Sequence, residues 1–280
     1  MTVISQLQAR RIWDSRGRPT IEVEVTTEDG FKGIGIAPAG ASRGTREAIE
    51  SRDGGHPFGG LDVQNALRGI REEIFPALKG KPVADQVGID ATLIELDGTP
   101  NKQRLGGNAL IATSLAVLHA AAAQVRQPLW QYLANGQVSS LPLPQIQIFG
   151  GGAHAGRRVD VQDFMVVSLS AKSFVEALEM TAEVYRAAGQ LMAARGGLTG
   201  VADEGGWGPR LESNEQAVAL LREAVDAAGA TMDIALDVAS THFFHYGLYR
   251  LENRGLSATD MAGADVVEGL KNSASTSGLS

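Results

Sequence analysis

The sequence predicts a small α+β domain followed by an α/β domain, and three observations carry that expectation. Ile21, Val23 and Val25 alternate with Glu22 and Glu24, the period-two pattern of a half-buried strand. From Asp62 the period changes, and Val63, Ala66, Leu67, Ile70 and Ile74 fall on one helical face. Near residues 135–141 the composition turns to Asn, Gly and Ser, a candidate linker, after which strand-like and helix-like stretches alternate.

In the first domain Glu28-Asp29-Gly30 supplies turn chemistry, so residues 31–37 read as the second arm of a hairpin. Asp62 is placed to cap the helix that follows. Further helices are expected at 89–96, 107–124 and 128–133. In the second domain the order is strand 143–149, strand 164–169 and helix 172–194. A loop holding Asp203-Glu204-Gly205-Gly206 comes next, then a helix opened by a Ser213 to Gln216 capping box, and strand 232–238. Strands interleaved with helices imply a parallel sheet, with chemistry at the C-terminal strand ends. Glu204 and Asp237 would lie at or just beyond such ends, and Asp163 immediately precedes a strand. Residues 261–280 turn small and polar and read as a tail, giving domains at 1–134 and 141–260 before it.

The 280 residues are 44% hydrophobic and 20% charged, a globular composition. A net charge of −7 argues against a nucleic-acid binder, which needs a basic face for phosphates. The most apolar stretch, 109–123, is short and carries Thr113, Ser114 and His119, which suits a buried helix and not a membrane span. With zero cysteines, disulfides, thiolate zinc sites and cysteine nucleophiles are all excluded. No signal peptide is evident, and a cytoplasmic location is the expectation.

Three carboxylates near strand boundaries point to a hard-cation site, because magnesium takes oxygen ligands and keeps several waters. Helix capping or loop solvation explains any single one of them equally well. In Asp203-Glu204-Gly205-Gly206 two acids beside two glycines let backbone and carboxylate approach a ligand closely. Gly150-Gly151-Gly152-Ala153-His154 could bring an imidazole over a ligand, although a lone His is more often structural. His242 and His245 have flanking aromatics and no third ligand, and read as surface histidines. No phosphate loop of the Walker type and no zinc-binding His-Glu-x-x-His helix occurs.

A series of longer motifs is more specific than any of these. Asp14-Ser15-Arg16-Gly17, Gly40-Ala41-Ser42, Arg52-Asp53-Gly54 and Leu96-Asp97-Gly98-Thr99-Pro100-Asn101-Lys102 stand in the first half. Gly151-Gly152-Ala153-His154-Ala155-Gly156, Gln162 with Phe164-Met165, Asp203-Glu204-Gly205-Gly206 and Ala235-Leu236-Asp237-Val238-Ala239-Ser240 stand in the second. In content and order they resemble the enolase family, from about the first ten residues to Asp260. The resemblance implies an α+β N-terminal domain followed by an incomplete enolase-type α/β (TIM-like) barrel. It also implies a Mg²⁺-dependent hydro-lyase of glycolysis that interconverts 2-phosphoglycerate and phosphoenolpyruvate, homodimeric when full length.

By the same resemblance Glu204 is the acid that protonates the departing hydroxyl, and His154 and Asp163 line the substrate pocket. Asp237 is a metal ligand. Ser42, on a closing loop, contacts substrate and a second Mg²⁺. The pattern departs from the family at Ala39, Arg43, Arg157 and His242, and at Asp163, where the family has Glu. These departures imply either a lowered activity or a paralogue acting on another phosphorylated or phosphonate acid. Only 140 residues follow position 140, whereas a complete barrel takes about 250. A truncated chain is therefore expected, impaired in catalysis or serving as a non-catalytic binding module.

Overall fold

The computed structural model describes residues 2–40, 43–137, 140–156, 159–251 and 259–261. Two compact units result, the first built from residues 1–40 and 44–139, the second chiefly from residues 140–280.

In the first unit β1 (Ile4–Trp13), β2 (Pro19–Thr27) and β3 (Lys32–Ala37) form an antiparallel meander in that order. The turn at Gly30 closes with its N–H on Thr27 O at 3.0 Å and a φ of 81°, a conformation glycine adopts without a Cβ penalty. Helices follow among the described residues. They are α1 (Gln64–Gly69), which runs through a π turn into α2 (Phe75–Leu78), then α3 (Gln86–Asp97), α4 (Gly107–Gln124) and α5 (Leu129–Ala134).

The alternation read in the sequence sends Ile21, Val23 and Val25 into the core, where all three are fully buried. Helix α4 lies directly on β3. A Cβ at Gly33 would come 2.1 Å from Ala116 O, and one at Gly35 would come 2.1 Å from Ala112 O. These two glycines set the helix–sheet distance, and Ala112, Ala116 and Ala120 complete the close face.

The capping expectation at Asp62 needs correction. Helix α1 begins at Gln64, and the first-turn N–H groups of Gln64 and Asn65 donate to Asp53 Oδ2 and Oδ1 at 2.8 and 2.9 Å. Asp62 instead takes Arg11 on both oxygens at 3.0 and 2.9 Å and the N–H of Val63 at 2.8 Å. A carboxylate eleven positions before a helix is invisible to local spacing, because only the fold of the 53–62 loop brings it to the helix end.

The second unit contains β4 (Gln145–Gly150), β5 (Asp163–Val167), α6 (Phe174–Ala194), β6 (Leu198–Val201), β7 (Trp207–Pro209), α7 (Asn214–Ala227) and β8 (Asp233–Asp237). Its sheet has the order β6-β7-β4-β5-β8 and, among the described residues, does not close into a barrel. Helices α6 and α7 cover it through Val184, Ala188, Met192, Leu220, Leu221 and Ala224, packed with Ile148, Phe149, Phe164 and Val166. Ser213 caps α7 as its spacing implied, its Oγ accepting from the Gln216 N–H at 3.2 Å. Beyond lie β9 (Phe244–His245), β10 (Leu248–Leu251) and β11 (Thr259–Met261), paired antiparallel.

The expected parallel sheet is in fact mixed. Strands β4 and β7 are parallel, whereas β4–β5, β5–β8 and β6–β7 are antiparallel. A parallel neighbour needs a crossover element, and between β4 and β5 the described residues hold only the short helical turn Gly152–Ala155. The β6–β7 hairpin around the Asp203-Glu204 loop also went unread, its strands being too short to show a period. Among the described residues no helix is long and apolar enough to cross a membrane.

Candidate active site

The antiparallel sense of β5 assembles the site. Because β5 runs against both neighbours, its first residue, Asp163, stands level with Gly150 at the end of β4 and with Asp237 at the end of β8. Three strand termini thus meet at one edge of the sheet. Backbone bonds lock the corner, with Gln162 N–H donating to Asp237 O at 3.1 Å and Gly151 N–H donating to Gln162 O at 2.6 Å. Gly151 has no room for a side chain there, since a Cβ would meet Val161 O at 2.2 Å.

Asp163 is 4% exposed. No cation meets it among the hydrogen bonds described; two amides do, Gln147 Nε2 donating to Oδ1 and Gln162 Nε2 to Oδ2, the latter at 3.1 Å. Gln162 is equally buried, and its Oε1 has no hydrogen-bond partner. An orphaned buried acceptor costs about 1–3 kcal/mol, so such a group beside a carboxylate is the kind that a polar ligand satisfies. Asp237 is exposed, and its Oδ1 accepts the Ala239 N–H at 3.1 Å. Ala239 itself has a φ of 45°, a left-handed backbone that an alanine adopts only when the surroundings impose it.

Asp203 and Glu204 are exposed on the tip of the β6–β7 hairpin. Several hydrogen bonds hold the tip. Ala202 N–H donates to Gly206 O at 2.7 Å, Gly206 N–H donates to Gln147 Oε1 at 2.8 Å, and Tyr185 Oη donates to Gly205 O at 2.9 Å. Tyr185 in turn stacks on Trp207, with ring centroids 4.7 Å apart and planes 19° from parallel, and burial pushes its phenol pKa up. Trp207 Nε1 returns a bond to Tyr185 O at 2.9 Å. Gly205, at φ 93°, supplies the left-handed residue that the tip requires.

Of the residues singled out in the sequence, the structure therefore brings Asp163 and Asp237 together, with the Glu204 loop tied to Asp163 through Gln147. His154 lies on the Gly152–Ala155 turn, which follows β4 at the same edge. Ser42 and Arg157 lie outside the described residues. His242 and His245 border a cavity of about 40 Å³ with Gly152, Ala153, Asp160 and Arg250. Gln147 and Tyr185 were missed. Two glutamines alternating with Ile146 and Ile148 look like the solvent face of a strand, and nothing local marks one of them as inward.

Among the described residues no group of three His, Asp or Glu side chains converges as a metal centre. Asp163 has both oxygens occupied by amides, and Asp237 presents its carboxylate toward solvent at the strand end. These residues do not make a complete Mg²⁺ ligand set, so no chemical step below passes through a metal.

The family model for the enolase N-terminal domain matches residues 4–133, and that for the enolase C-terminal TIM barrel domain matches residues 138–272, continuing past Asp260 where the motif series ends. The protein named Enolase 1 from Desulfitobacterium hafniense (strain Y51) is 44% identical over 269 residues, which cover 93% of this chain and 62% of that protein. The chain thus spans about three-fifths of the length of that relative. With an α+β unit under the first match and a helix-covered sheet under the second, the chain belongs to the enolase family.

Proposed function

We propose that this chain carries the acid side of an enolase-type lyase site, acting on 2-phosphoglycerate and phosphoenolpyruvate in glycolysis, in the cytoplasm. The observation that supports it most is the meeting of Asp163, Asp237 and the Gly150 corner at one sheet edge, with the Glu204 loop tied in through Gln147. In this reading Glu204 delivers the proton to the departing hydroxyl. An exposed carboxylate on a braced hairpin tip can reach a ligand above the edge and exchange its proton with solvent between turnovers. Asp163 and Gln162 orient the substrate, the buried carboxylate accepting from a hydroxyl and the orphaned Gln162 Oε1 accepting a second hydrogen bond. His154 and Ser42 complete the substrate pocket. Asp237 and Ser42 are the metal ligands in the same reading, and Mg²⁺ is the cofactor that calorimetry tests.

The test is direct. A complete enolase barrel C-terminus is joined after Asp260, and phosphoenolpyruvate formation from 2-phosphoglycerate is followed with that protein and with its Glu204→Gln variant. General acid catalysis contributes about 10²–10⁴-fold, so activity should fall by that order in the variant. Equal rates in both proteins would remove Glu204 from the role.

A second reading has one observation in its favour. Asp163 is one methylene shorter than the glutamate the resemblance implies, and two glutamine amides hold it back within the sheet. The added depth favours a bulkier phosphorylated or phosphonate acid. A panel of such acids screened against 2-phosphoglycerate decides between the two.

A further inference from the structure

We propose that Gln147 is a positioning residue, a single amide that fixes the Glu204 loop relative to the Asp163 carboxylate. The inference rests on the functional reading above but is tested without turnover. Gln147 sits on β4, one strand from Asp163, and its two polar atoms point to different elements. Its Nε2 donates to Asp163 Oδ1 on β5, and its Oε1 accepts the Gly206 N–H at the foot of the hairpin tip. The chemistry allows only one orientation of the amide. An ionised carboxylate accepts and a backbone N–H donates, so flipping the group would oppose oxygen to oxygen and N–H to N–H.

The surrounding glycines show that space has been cleared for this side chain. A Cβ at Gly206 would fall 2.5 Å from Gln147 Oε1 and 2.8 Å from its Cγ. A Cβ at Gly150 would fall 2.2 Å from the Ala202 Cβ and 3.3 Å from Gln147 Nε2. The second glycine of the Asp203-Glu204-Gly205-Gly206 motif therefore has a φ-independent purpose, which is to let the amide reach the backbone. Tyr185 holds the neighbouring Gly205 carbonyl from the other side. The Gly205–Gly206 peptide is thus gripped on both sides, which gives Glu204, just before it, a fixed base on an exposed tip. Gln147 touches no reacting atom in this arrangement and acts through Asp163 and the loop.

Hydrogen exchange of the full chain, read residue by residue by NMR, provides the test. Gln147→Met keeps the length and volume of the side chain and removes both bonds. It should speed exchange at Gly206 by about fivefold or more, the size of one lost net hydrogen bond, while amides of the β5–β8 ladder keep their rates. The double variant Gln147→Glu with Asp163→Asn reverses donor and acceptor across the first bond and leaves an oxygen for Gly206, so it should return Gly206 close to the parent rate. A side chain that matters only for packing would show no effect in the first variant. Unchanged exchange at Gly206 in Gln147→Met, equal loosening of the ladder, or failure of the reversed pair to restore protection would each overturn the proposal. Because no substrate is present, the result is separate from whether the chain dehydrates 2-phosphoglycerate.

Discussion

Asp97 and Asp163 are both buried carboxylates, one in each unit, and their surroundings differ in kind. Asp97 closes α3 and is saturated by local backbone and hydroxyl donors. Oδ1 takes the Thr99 N–H at 3.0 Å and the Thr99 hydroxyl, and Oδ2 takes the Leu105 N–H at 2.8 Å. Burial opposes its ionisation, but these bonds, with Arg104 nearby, outweigh it and hold the carboxyl below its usual range. Asp163 meets two side-chain amides, one of which has an unsatisfied oxygen. In the first unit acids are spent chiefly on the fold: Asp14 Oδ1 on the Arg16 and Arg18 N–H groups, with Oδ2 left unpartnered, Asp53 on α1 and Asp62 on Arg11. In the second unit the acids stand at strand ends, where a ligand can reach them. The contrast teaches that a buried acid with local donors on both oxygens serves the fold, whereas one met by side-chain amides at a strand end is a site candidate.

The comparison can be broken at its strongest point, the helix–sheet contact of the first unit. Gly33→Val would drive a side chain into the backbone of α4, and an overpacking loss of about 3 kcal/mol or more is expected, read as a lowered denaturant midpoint. A midpoint unchanged within error would mean that α4 does not sit on β3 as described.

Next in size is Asp97→Asn. Hydrogen bonds to a charged acceptor are worth about 1.5–3 kcal/mol, so stability at neutral pH should fall by an amount in that range. The pH dependence has a fixed sign. Asp97 and Asp62 both have folded pKa values below the usual carboxylate range, Asp62 because the Val63 N–H and Arg11 overcome its burial. Their stabilisation is present above the unfolded pKa, about 3.9, and is lost as pH falls through the lower folded values. Urea midpoints measured from pH 6 down to pH 2 should decline more shallowly in Asp97→Asn than in the parent chain.

The site side of the comparison predicts the opposite balance. Asp237 is exposed and accepts one backbone bond, so Asp237→Asn should change stability by no more than about 0.5 kcal/mol. It should nevertheless weaken Mg²⁺ binding measured by calorimetry, because a hard cation loses a charged oxygen ligand. A large stability loss with unchanged Mg²⁺ binding would place Asp237 with the structural acids.

The smallest effect is expected at Phe58. It holds a left-handed φ of 50° while its ring packs edge-on against Trp13 at 5.1 Å and under Arg11 at 5.0 Å. Phe58→Gly relieves backbone strain of about 1–3 kcal/mol and loses ring contacts of similar size, so the net change should lie near zero. Trp13 fluorescence should still shift as its neighbour is removed, and an unmoved spectrum would count against the contact.

Much of the fold was legible in the chain because its signals are local. The alternation at Ile21, Val23 and Val25, the helical face from Val63 to Ile74 and the Ser213 cap each depend on residues within one or two turns of one another. The family could be read for a related reason, since its motifs are contiguous strings that need no neighbours to be recognised. What only the tertiary structure decided was which way the strands of the second unit run and what that brings together. The sense of β5 places Asp163 at the working edge, when a parallel β5 would have put it at the opposite end. The capping of α1 by Asp53, the clamp of Gln147 between Asp163 and Gly206 and the orphaned oxygen of Gln162 all join residues that lie on separate elements or are defined only by burial. Sequence periodicity reports how a segment meets water, and it carries no information on which distant segment lies across from it.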